Sequence, residues 1–506
     1  MKSAQISIYD RENNAVRLLS AMARNAGHSA LEIYFKDWIN NGFIPPNPAE
    51  IANLIKLLKQ HEIQIVGLSL RASPYFKVAS QLTAVIQQEL QIPVLWGGTH
   101  AILCPEECIQ AADLVCVGEG EKTWPQLLDK MEKQEDYTGL ANLWVKKGSE
   151  IYRNPVADLI EDLDTLPFRD YTHPDKYYIS GSKIIQGDPM SGEPIFQMLC
   201  SRGCPFSCSF CYNSVFKSDI YKDKGRYYRL RSVDSVLAEL KKAKAAFPHL
   251  VRIKFDDEVF PFEEKWFEEF CQRYPKEIGL PFECFTESKL VEERRFSALK
   301  QAGLKIVYMG VQSTSKICHE LYNRETPERQ ILEAANTFHR LKLDARYQVI
   351  VDDPLSGEAE YESLFDFLML FPRPFALYLF SLTVYPRTAL AQKLLELNII
   401  NPEQIEGRAT KTFRQLRVDL NYPRTPPQLF WTSMLVLMTK NFLPKSFLRK
   451  LSKNQFLKQH PKLPAAFAQF CNFIHMGYLA GKMLLSGEMS FSTMLRWLNL
   501  RSWITQ

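Results

Sequence analysis

From residue 4 to about 135, short apolar runs alternate with longer stretches of helical period. Gln5–Tyr9, Ala30–Phe35, Ile63–Leu70, Pro93–Trp96 and Leu114–Val117 read as strands. Asn14–Asn25, Ala49–Gln60 and Phe76–Leu90 lie between them, with apolar residues three or four apart as one buried helical face requires. In Ile51, Leu54, Ile55, Leu57 and Leu58 the stripe is plain. This alternation predicts an α/β fold over 1–139, a doubly wound, Rossmann-like domain with a mostly parallel sheet and helices on both faces.

Ligands of such sheets sit beyond the carboxyl ends of the strands. The unusual residues fall there: Asp10 after the first strand, Ser69-Leu70 at the third, Gly97-Gly98-Thr99 after the fourth and Gly118-Glu119-Gly120-Glu121 after the fifth. Glycines at such ends let backbone amides approach a large or anionic ligand; they also simply turn the chain.

Residues 140–193 change character. Leu140–Val145 and Glu150–Arg153 around a Lys-Lys-Gly-Ser turn predict a hairpin, Asp158–Pro167 reads as an acidic tether, and Gly187–Gly192 as flexible. Over 194–396 the alternation resumes with a longer period. Strands are expected at Pro194–Leu199, Leu250–Phe255, Phe282–Thr286, Lys305–Gly310, Arg346–Val351 and Leu377–Val384, with helices such as Ser232–Ala246, Leu290–Gln301 and Pro327–Leu341. Six strand–helix units make a partial (β/α)6 TIM barrel, whose functional residues belong on the loops after the strands.

From about 397 helices take over. Lys440–Lys462 sets seven cations among Phe and Leu, and Leu463–Gly481 then runs without a formal charge. Pro464, Gln469, Asn472 and His475 argue against a bilayer span, since polar groups in hydrocarbon are costly. The expectation for 397–506 is a helical cap; the other reading is a basic amphipathic surface making peripheral membrane contact.

At 506 residues the chain is long enough for about three domains. A net charge of +5 is too weak to argue for nucleic acid, and no such partner is expected. Eleven cysteines are too sparse for a disulfide scaffold. No signal peptide is read at Met1–Asp10, so a reducing cytoplasm is expected.

The strongest chemical signal is Cys200-Ser-Arg-Gly-Cys204-Pro-Phe-Ser-Cys208-Ser-Phe210-Cys211. Cys204, Cys208 and Cys211 read C-x3-C-x2-C, with the aromatic Phe210 before the last thiolate. Thiolates on a tight loop are iron–sulfur ligands, and three of them leave one iron of a cubane open to a small molecule. Zinc would need a fourth ligand, for which Cys200 is the candidate.

The run resembles the signature of the radical SAM superfamily. With Ser69-Leu70, Gly97-Gly98, the Trp96–Glu106 loop and the Val-Gly-Glu-Gly-Glu run at 117–121, the chain resembles the cobalamin-binding radical SAM enzymes, class B methyltransferases among them. The resemblance implies a [4Fe–4S] cluster on Cys204, Cys208 and Cys211, and S-adenosylmethionine (SAM) held by Phe210, Asp256, Asp257, Gln312 and Ser313. It implies cobalamin against Asp10, Ser69, Leu70, Gly97, Gly98, Thr99, Gly118 and Gly120. An electron donor such as flavodoxin or ferredoxin and a small-molecule substrate follow. The implied chemistry is reductive cleavage of SAM to a 5′-deoxyadenosyl radical and methylation of an unactivated carbon through methylcobalamin. Radical cyclisation or rearrangement with the same cofactors is the alternative, and a sensor without turnover is another.

The chain departs from the family pattern in places. Asp10-Arg11-Glu12-Asn13-Asn14-Ala15 stands where D-x-H-x-x-G supplies a histidine beneath cobalt, so none is expected there. Gln312 replaces a commoner glutamate, Arg387 replaces the glycine of a Tyr-Pro-Gly-Thr turn, and Asp352-Asp353 departs from Gly-Leu-Pro-Gly-Glu-Thr. Arg387 reads as a solvated charge or a contact to an acidic substrate, and the Asp pair as helix capping or substrate chemistry. Cys104, Cys108 and Cys116 are a second-cluster set or core cysteines.

Overall fold

In a computed structural model, residues 1–36, 44–402, 405, 420 and 424–487 are described. By internal contact the chain divides into two units that do not follow chain order. One holds Met1–Glu193, Arg202–Pro248 and the segment that starts at Val384; the other holds Pro194–Ser201, His249–Thr383 and the C-terminal helices.

The first unit is built on nine strands: β1 (Lys2–Ile8), β2 (Ser29–Phe35), β3 (Ile65–Ser69), β4 (Val94–Gly97), β5 (Leu114–Cys116), β6 (Leu143–Lys147), β7 (Glu150–Arg153), β8 (Lys176–Ser180) and β9 (Lys183–Gln186), in the order β7-β6-β5-β4-β3-β1-β2-β8-β9. β1 pairs in parallel with both β2 and β3, and β3 with β4. All its residues from Ser3 on are buried, as a strand covered on both faces must be. Because β2 lies on one side of β1 and β3 on the other, the topological switch falls at the carboxyl ends of β1 and β3, where Asp10 and Ser69 stand.

The helices α1 (Asn14–Asn25), α2 (Pro48–Gln60), α3 (Phe76–Leu90), α4 (Thr99–Leu103), α5 (Pro105–Ala111) and α6 (Gly120–Glu132) connect these strands. Asn13 caps α1 through Val16 N–H, and α2 opens with an Asn47–Glu50 capping box.

The segment read as linker contributes four strands to the sheet. β6–β7 is the expected hairpin, but β6 joins β5 antiparallel, and β8 extends the other edge in parallel with β2. Gly187–Gly192 is not a loose spacer either. The Asp188 side chain is only 6% exposed; it accepts from Arg17 Nη2 at 2.9 Å and from Lys176 Nζ at 3.0 Å, and so closes a charge network beside β2. At five and four residues these strands are too short to show a period of their own, which is why 176–186 escaped the hydrophobic pattern.

The second unit carries a six-stranded parallel sheet: β10 (Ile195–Met198), β11 (Arg252–Phe255), β12 (Phe282–Thr286), β13 (Leu304–Gln312), β14 (Asp344–Val351) and β15 (Ala376–Ser381). Neighbours in the sheet follow chain order, the arrangement of a partial (β/α)6 barrel. The sequence-predicted strands are all present, with ends that differ by at most three residues. Along the chain between these strands run α7 (Val233–Ala246, in the first unit), α8 (Glu264–Glu277), α9 (Glu293–Ala302), α10 (Glu328–Arg340) and α11 (Glu358–Leu368); after β15 come α12 (Ala389–Glu396, which belongs to the first unit), α13 (Pro426–Met438), α14 (Lys445–Ser452) and α15 (Lys462–Leu485). No helix among the described residues is long and apolar enough to cross a membrane.

Candidate functional site

In the first unit the sheet's carboxyl edge and the cysteine loop are tied together by charge. Glu119, in the run after β5, accepts from Arg229 Nη2 at 2.6 Å and Arg202 Nη1 at 3.2 Å, while Arg202 Nη2 bonds Glu121. Burial works against a charged Glu119, but the Arg229 and Arg202 guanidiniums hold its carboxyl below the usual range. Arg202 lies two residues before Cys204, so this network anchors the entry to the loop. These arginines and the roles of Glu119 and Glu121 were missed in sequence; only the acidic run itself was visible.

The loop is braced along its length. Gly203 has φ +80°, and a side chain there would meet the Tyr227 carbonyl oxygen at 2.3 Å, so only glycine fits. Lys217 Nζ donates to the Pro205 carbonyl at 2.8 Å, and Leu390 N–H to the Ser209 carbonyl at 3.0 Å. Tyr212 packs edge-on against Tyr385, ring centroids 5.6 Å apart. Cys204, Cys208 and Cys211 are half-buried and in no disulfide, and Asn213 Nδ2 lies 3.8 Å from Cys211 Sγ. Three soft donors on a rigid, accessible loop, with an amide directed at one sulfur, fit an iron–sulfur cluster. Cys200 is fully buried on the strand side.

At the switch point Asn13 Nδ2 donates to Ser69 Oγ at 2.9 Å, bridging the ends of β1 and β3. Asp10 caps Glu12 N–H at 3.0 Å and pairs with Arg71 at 2.8 Å. Leu70 is buried; its N–H reaches the Gly97 carbonyl at 2.7 Å and its carbonyl accepts from His100 N–H at 3.1 Å. Gly98, at φ +100°, would press a side chain onto the Leu70 backbone at 3.0 Å. Gly118 lies against the Asn142 carboxamide, and a side chain at Gly120 would touch Leu19 at 3.4 Å.

These glycines answer to the chain's own packing. Gly97 does not: a side chain there would meet only the Cys116 Cβ, at 3.7 Å. Its bare backbone at the edge, followed by Thr99 opening α4, fits close approach by a large ligand such as a corrin.

The histidine at this edge is buried and hydrogen-bonded through one ring nitrogen. Among the described residues near Gly98 the imidazole is His100, whose Nδ1 lies 2.9 Å from Ser73 Oγ and Nε2 3.4 Å from Glu107. Cys104 falls within 4.8 Å of both groups, but it packs against the apolar cluster of Ile102, Leu103 and Val215. Cys116 is a core residue whose thiol burial pushes up to about 12, facing the Gly118 carbonyl.

In the second unit Asp257 is buried at the end of β11. Its Oδ1 accepts from Ser201 N–H at 2.7 Å, Ser201 Oγ at 2.5 Å and Cys200 N–H at 2.9 Å. Burial pushes its carboxyl up to about 7, against the pull of those donors. Asp257 thus braces the turn that leads out of β10, and its oxygens are committed there. Asp256 is half-buried and pairs with Lys254 at 2.6 Å.

Gln312 ends β13 at a register shift, with φ +66° and its amide folded over Gly310. Ser313 follows, buried. A bulge with a left-handed non-glycine residue at a strand end is a strained turn of the kind that re-aims side chains at sites.

Two departures from the family pattern have a geometric cause. Asp352 has φ +60° and Arg387 φ +64°, both in the region glycine occupies freely. Asp352 pairs with Arg424 through two contacts of 2.7 and 2.8 Å and accepts from Ser381. Asp353 caps Leu355 N–H at 2.9 Å. Arg387, half-exposed, pairs with Asp219, so it is a surface ion pair.

Comparison with known proteins agrees with this architecture. Residues 198–368 match the model of the radical SAM superfamily, and 8–128 that of the B12 binding domain. An uncharacterized methyltransferase of Pyrococcus horikoshii is 26% identical over 357 residues, 69% of this chain and 73% of that protein. An anaerobic magnesium-protoporphyrin IX monomethyl ester cyclase of Cereibacter sphaeroides is 26% identical over 270 residues, half of this chain and 41% of that protein.

Among solved structures, the cobalamin-dependent SAM radical enzyme OxsB, with aqua-cobalamin and SAM bound, shares the fold at TM-score 0.64 and 16% identity, covering 99% of this chain and 75% of that one. The radical SAM methyltransferase TsrM of Kitasatospora setae does so at 0.63 and 14%, covering 91% and 99%. Both family models match in one chain: it is a member of the cobalamin-binding radical SAM enzymes, with a [4Fe–4S] cluster, SAM and cobalamin as cofactors.

Proposed function

We propose that the protein methylates an unactivated carbon of a small molecule. The observation that carries this reading is the Arg202–Glu119–Arg229 network, which makes the cysteine loop and the corrin-type sheet edge parts of one compact unit. Bound, the cofactors supply one-electron reduction and a methyl group, and the protein orients them and excludes water.

In this reading Cys204, Cys208 and Cys211 hold the cluster. The backbone at Phe210 faces the SAM adenine, and Gln312, Ser313, Asp256 and Asp257 hold its methionyl part, Asp257 also bracing the Cys200–Ser201 turn. Asp10, Ser69, Leu70, Gly97, Gly98, Thr99, Gly118 and Gly120 line cobalamin, with Gly97 the bare contact. An electron donor of the flavodoxin or ferredoxin kind would reduce the cluster.

Loss-free methyl counting tests the reaction type. The protein loaded with reduced cobalamin and given methyl-labelled SAM should form labelled methylcobalamin and S-adenosylhomocysteine without any further substrate. If 5′-deoxyadenosine accumulates and no methyl reaches cobalt, cyclisation without methyl transfer replaces this reading, as the resemblance to the ester cyclase allows.

The absence of a histidine in the 10–15 loop has its own expected result. The cob(II)alamin form should show no nitrogen hyperfine splitting from the protein in its electron paramagnetic resonance spectrum. Superhyperfine lines that shift when His100 is changed to Gln would assign an axial ligand after all.

A further inference from the structure

Among the described residues, the C-terminal helices present an uncovered apolar face inside a segment whose charged side chains are all cationic. Between Thr425 and Gly487 the chain has seven lysines and one arginine and no Asp or Glu. Of the 14 exposed large hydrophobic side chains among the described residues, ten fall between Phe442 and Leu485. A large protein carries scattered exposed apolar residues as a matter of course; their concentration in one segment is what signals a contact surface.

The pattern on α15 is directional. Its buried side is lined by small residues, Pro464, Ala465, Ala468 and Cys471, and the helix packs on α13. Leu463, Phe467, Phe470, Ile474, Tyr478 and Leu485 are all exposed. At 3.6 residues per turn these six fall within an arc of about 80°, and the exposed ring of Phe473 widens the stripe to about 140°. The helix is thus apolar on two sides, and only one is covered by the described residues. Phe442, Phe447 and Phe456 add exposed aromatic rings from the preceding turns.

Charge decides what fits the stripe. Lys458 pairs with Glu358, Lys440 bonds Asn472, and Lys445 caps the Met369 and Phe371 carbonyls. Arg449, Lys450, Lys453, Lys462 and Lys482 are exposed, and no carboxylate pairs with them among the described residues. Aromatic and aliphatic side chains flanked by unpaired cations suit the boundary between acyl chains and anionic headgroups.

We propose that this face docks the protein peripherally on an anionic lipid bilayer, α15 lying in the interface with its Leu463–Leu485 stripe inserted. The helix lies on the membrane and does not span it. The inference rests on the C-terminal surface alone and stands or falls separately from methyl transfer.

Flotation of the full-length protein with phosphatidylcholine vesicles, with and without phosphatidylglycerol, tests it. The protein should float with the anionic vesicles and lose much of that binding at high salt. Each cation near the surface is worth about fivefold in affinity, so Lys450→Glu with Lys453→Glu should weaken binding by about 25-fold or more. Phe470→Ser with Tyr478→Ser should weaken it at low and high salt alike, with iron content and melting temperature unchanged.

Two outcomes would overturn the proposal. One is equal absence of binding to both vesicle types. The other is a dimer that the Phe470→Ser, Tyr478→Ser pair converts to monomer in lipid-free buffer, which would mean that a second copy of the chain covers the stripe.

Discussion

Cys204→Ala, Cys208→Ala and Cys211→Ala are each expected to abolish the cluster and all reductive cleavage of SAM, read as iron content and 5′-deoxyadenosine after anaerobic reconstitution. The three thiols are half-buried on a loop pinned by Arg202, Gly203 and Lys217, so no other side chain can move in to replace a lost ligand. Cys200→Ala is the matched control. That side chain is fully buried beside the turn held by Asp257, and its loss should leave a small core cavity with the cluster intact. Full activity in any of the first three variants, or loss of iron in the control, would remove the assignment. Cobalamin content should stay near one per chain throughout, which separates cluster loss from unfolding.

Asp257 should make the protein less stable as pH rises toward neutrality. Its carboxyl is held protonated up to about 7 by burial, whereas in the unfolded chain it ionises near the ordinary value of about 4. Between those values the native state keeps a proton that the unfolded chain has released, so stability falls as pH rises through the window and levels off above it. A shift of about three units corresponds to roughly 4 kcal/mol for this one group.

The measurement is the difference in urea midpoint between wild type and Asp257→Asn across pH 5 to 8. The asparagine keeps an acceptor for the Ser201 and Cys200 amides without a charge to bury, so the variant should gain on wild type as pH rises. A pH-independent difference would mean that the carboxylate is ionised throughout. Asp257→Ala, by contrast, would leave two backbone N–H groups and a hydroxyl unpaired in a dry site, at about 1–3 kcal/mol each. It should destabilise at every pH.

Much of this was legible in the sequence because its signals are local. Alternating apolar runs placed both parallel sheets, and a C-x3-C-x2-C run is its own evidence. What escaped is non-local. Nothing near Glu119 shows that its partners stand at 202 and 229, since charge pairs across about 80 to 110 residues are set by the fold. Asp257 reads as a ligand from its place after a strand, and only three-dimensional packing shows its oxygens occupied. The left-handed backbone at Asp352 and Arg387 is one that glycine adopts freely, but no pattern in one sequence announces a φ angle. Strands β8 and β9 are only five and four residues long, too short for a periodic pattern to mark them.

The Glu119 network bears on how such a protein can be taken apart. A fragment starting at the barrel's first strand would carry Arg202 and Arg229 without their counter-charges. It would also strip Ile102, Leu103 and Leu159 from Val215, Phe216 and Tyr221, baring an apolar surface beside the cysteine loop. Chimeras that trade corrin-binding modules between relatives would need to bring the Glu119–Glu121 run and its two arginines along together. The seam for modular exchange therefore does not lie at the boundary that chain order suggests.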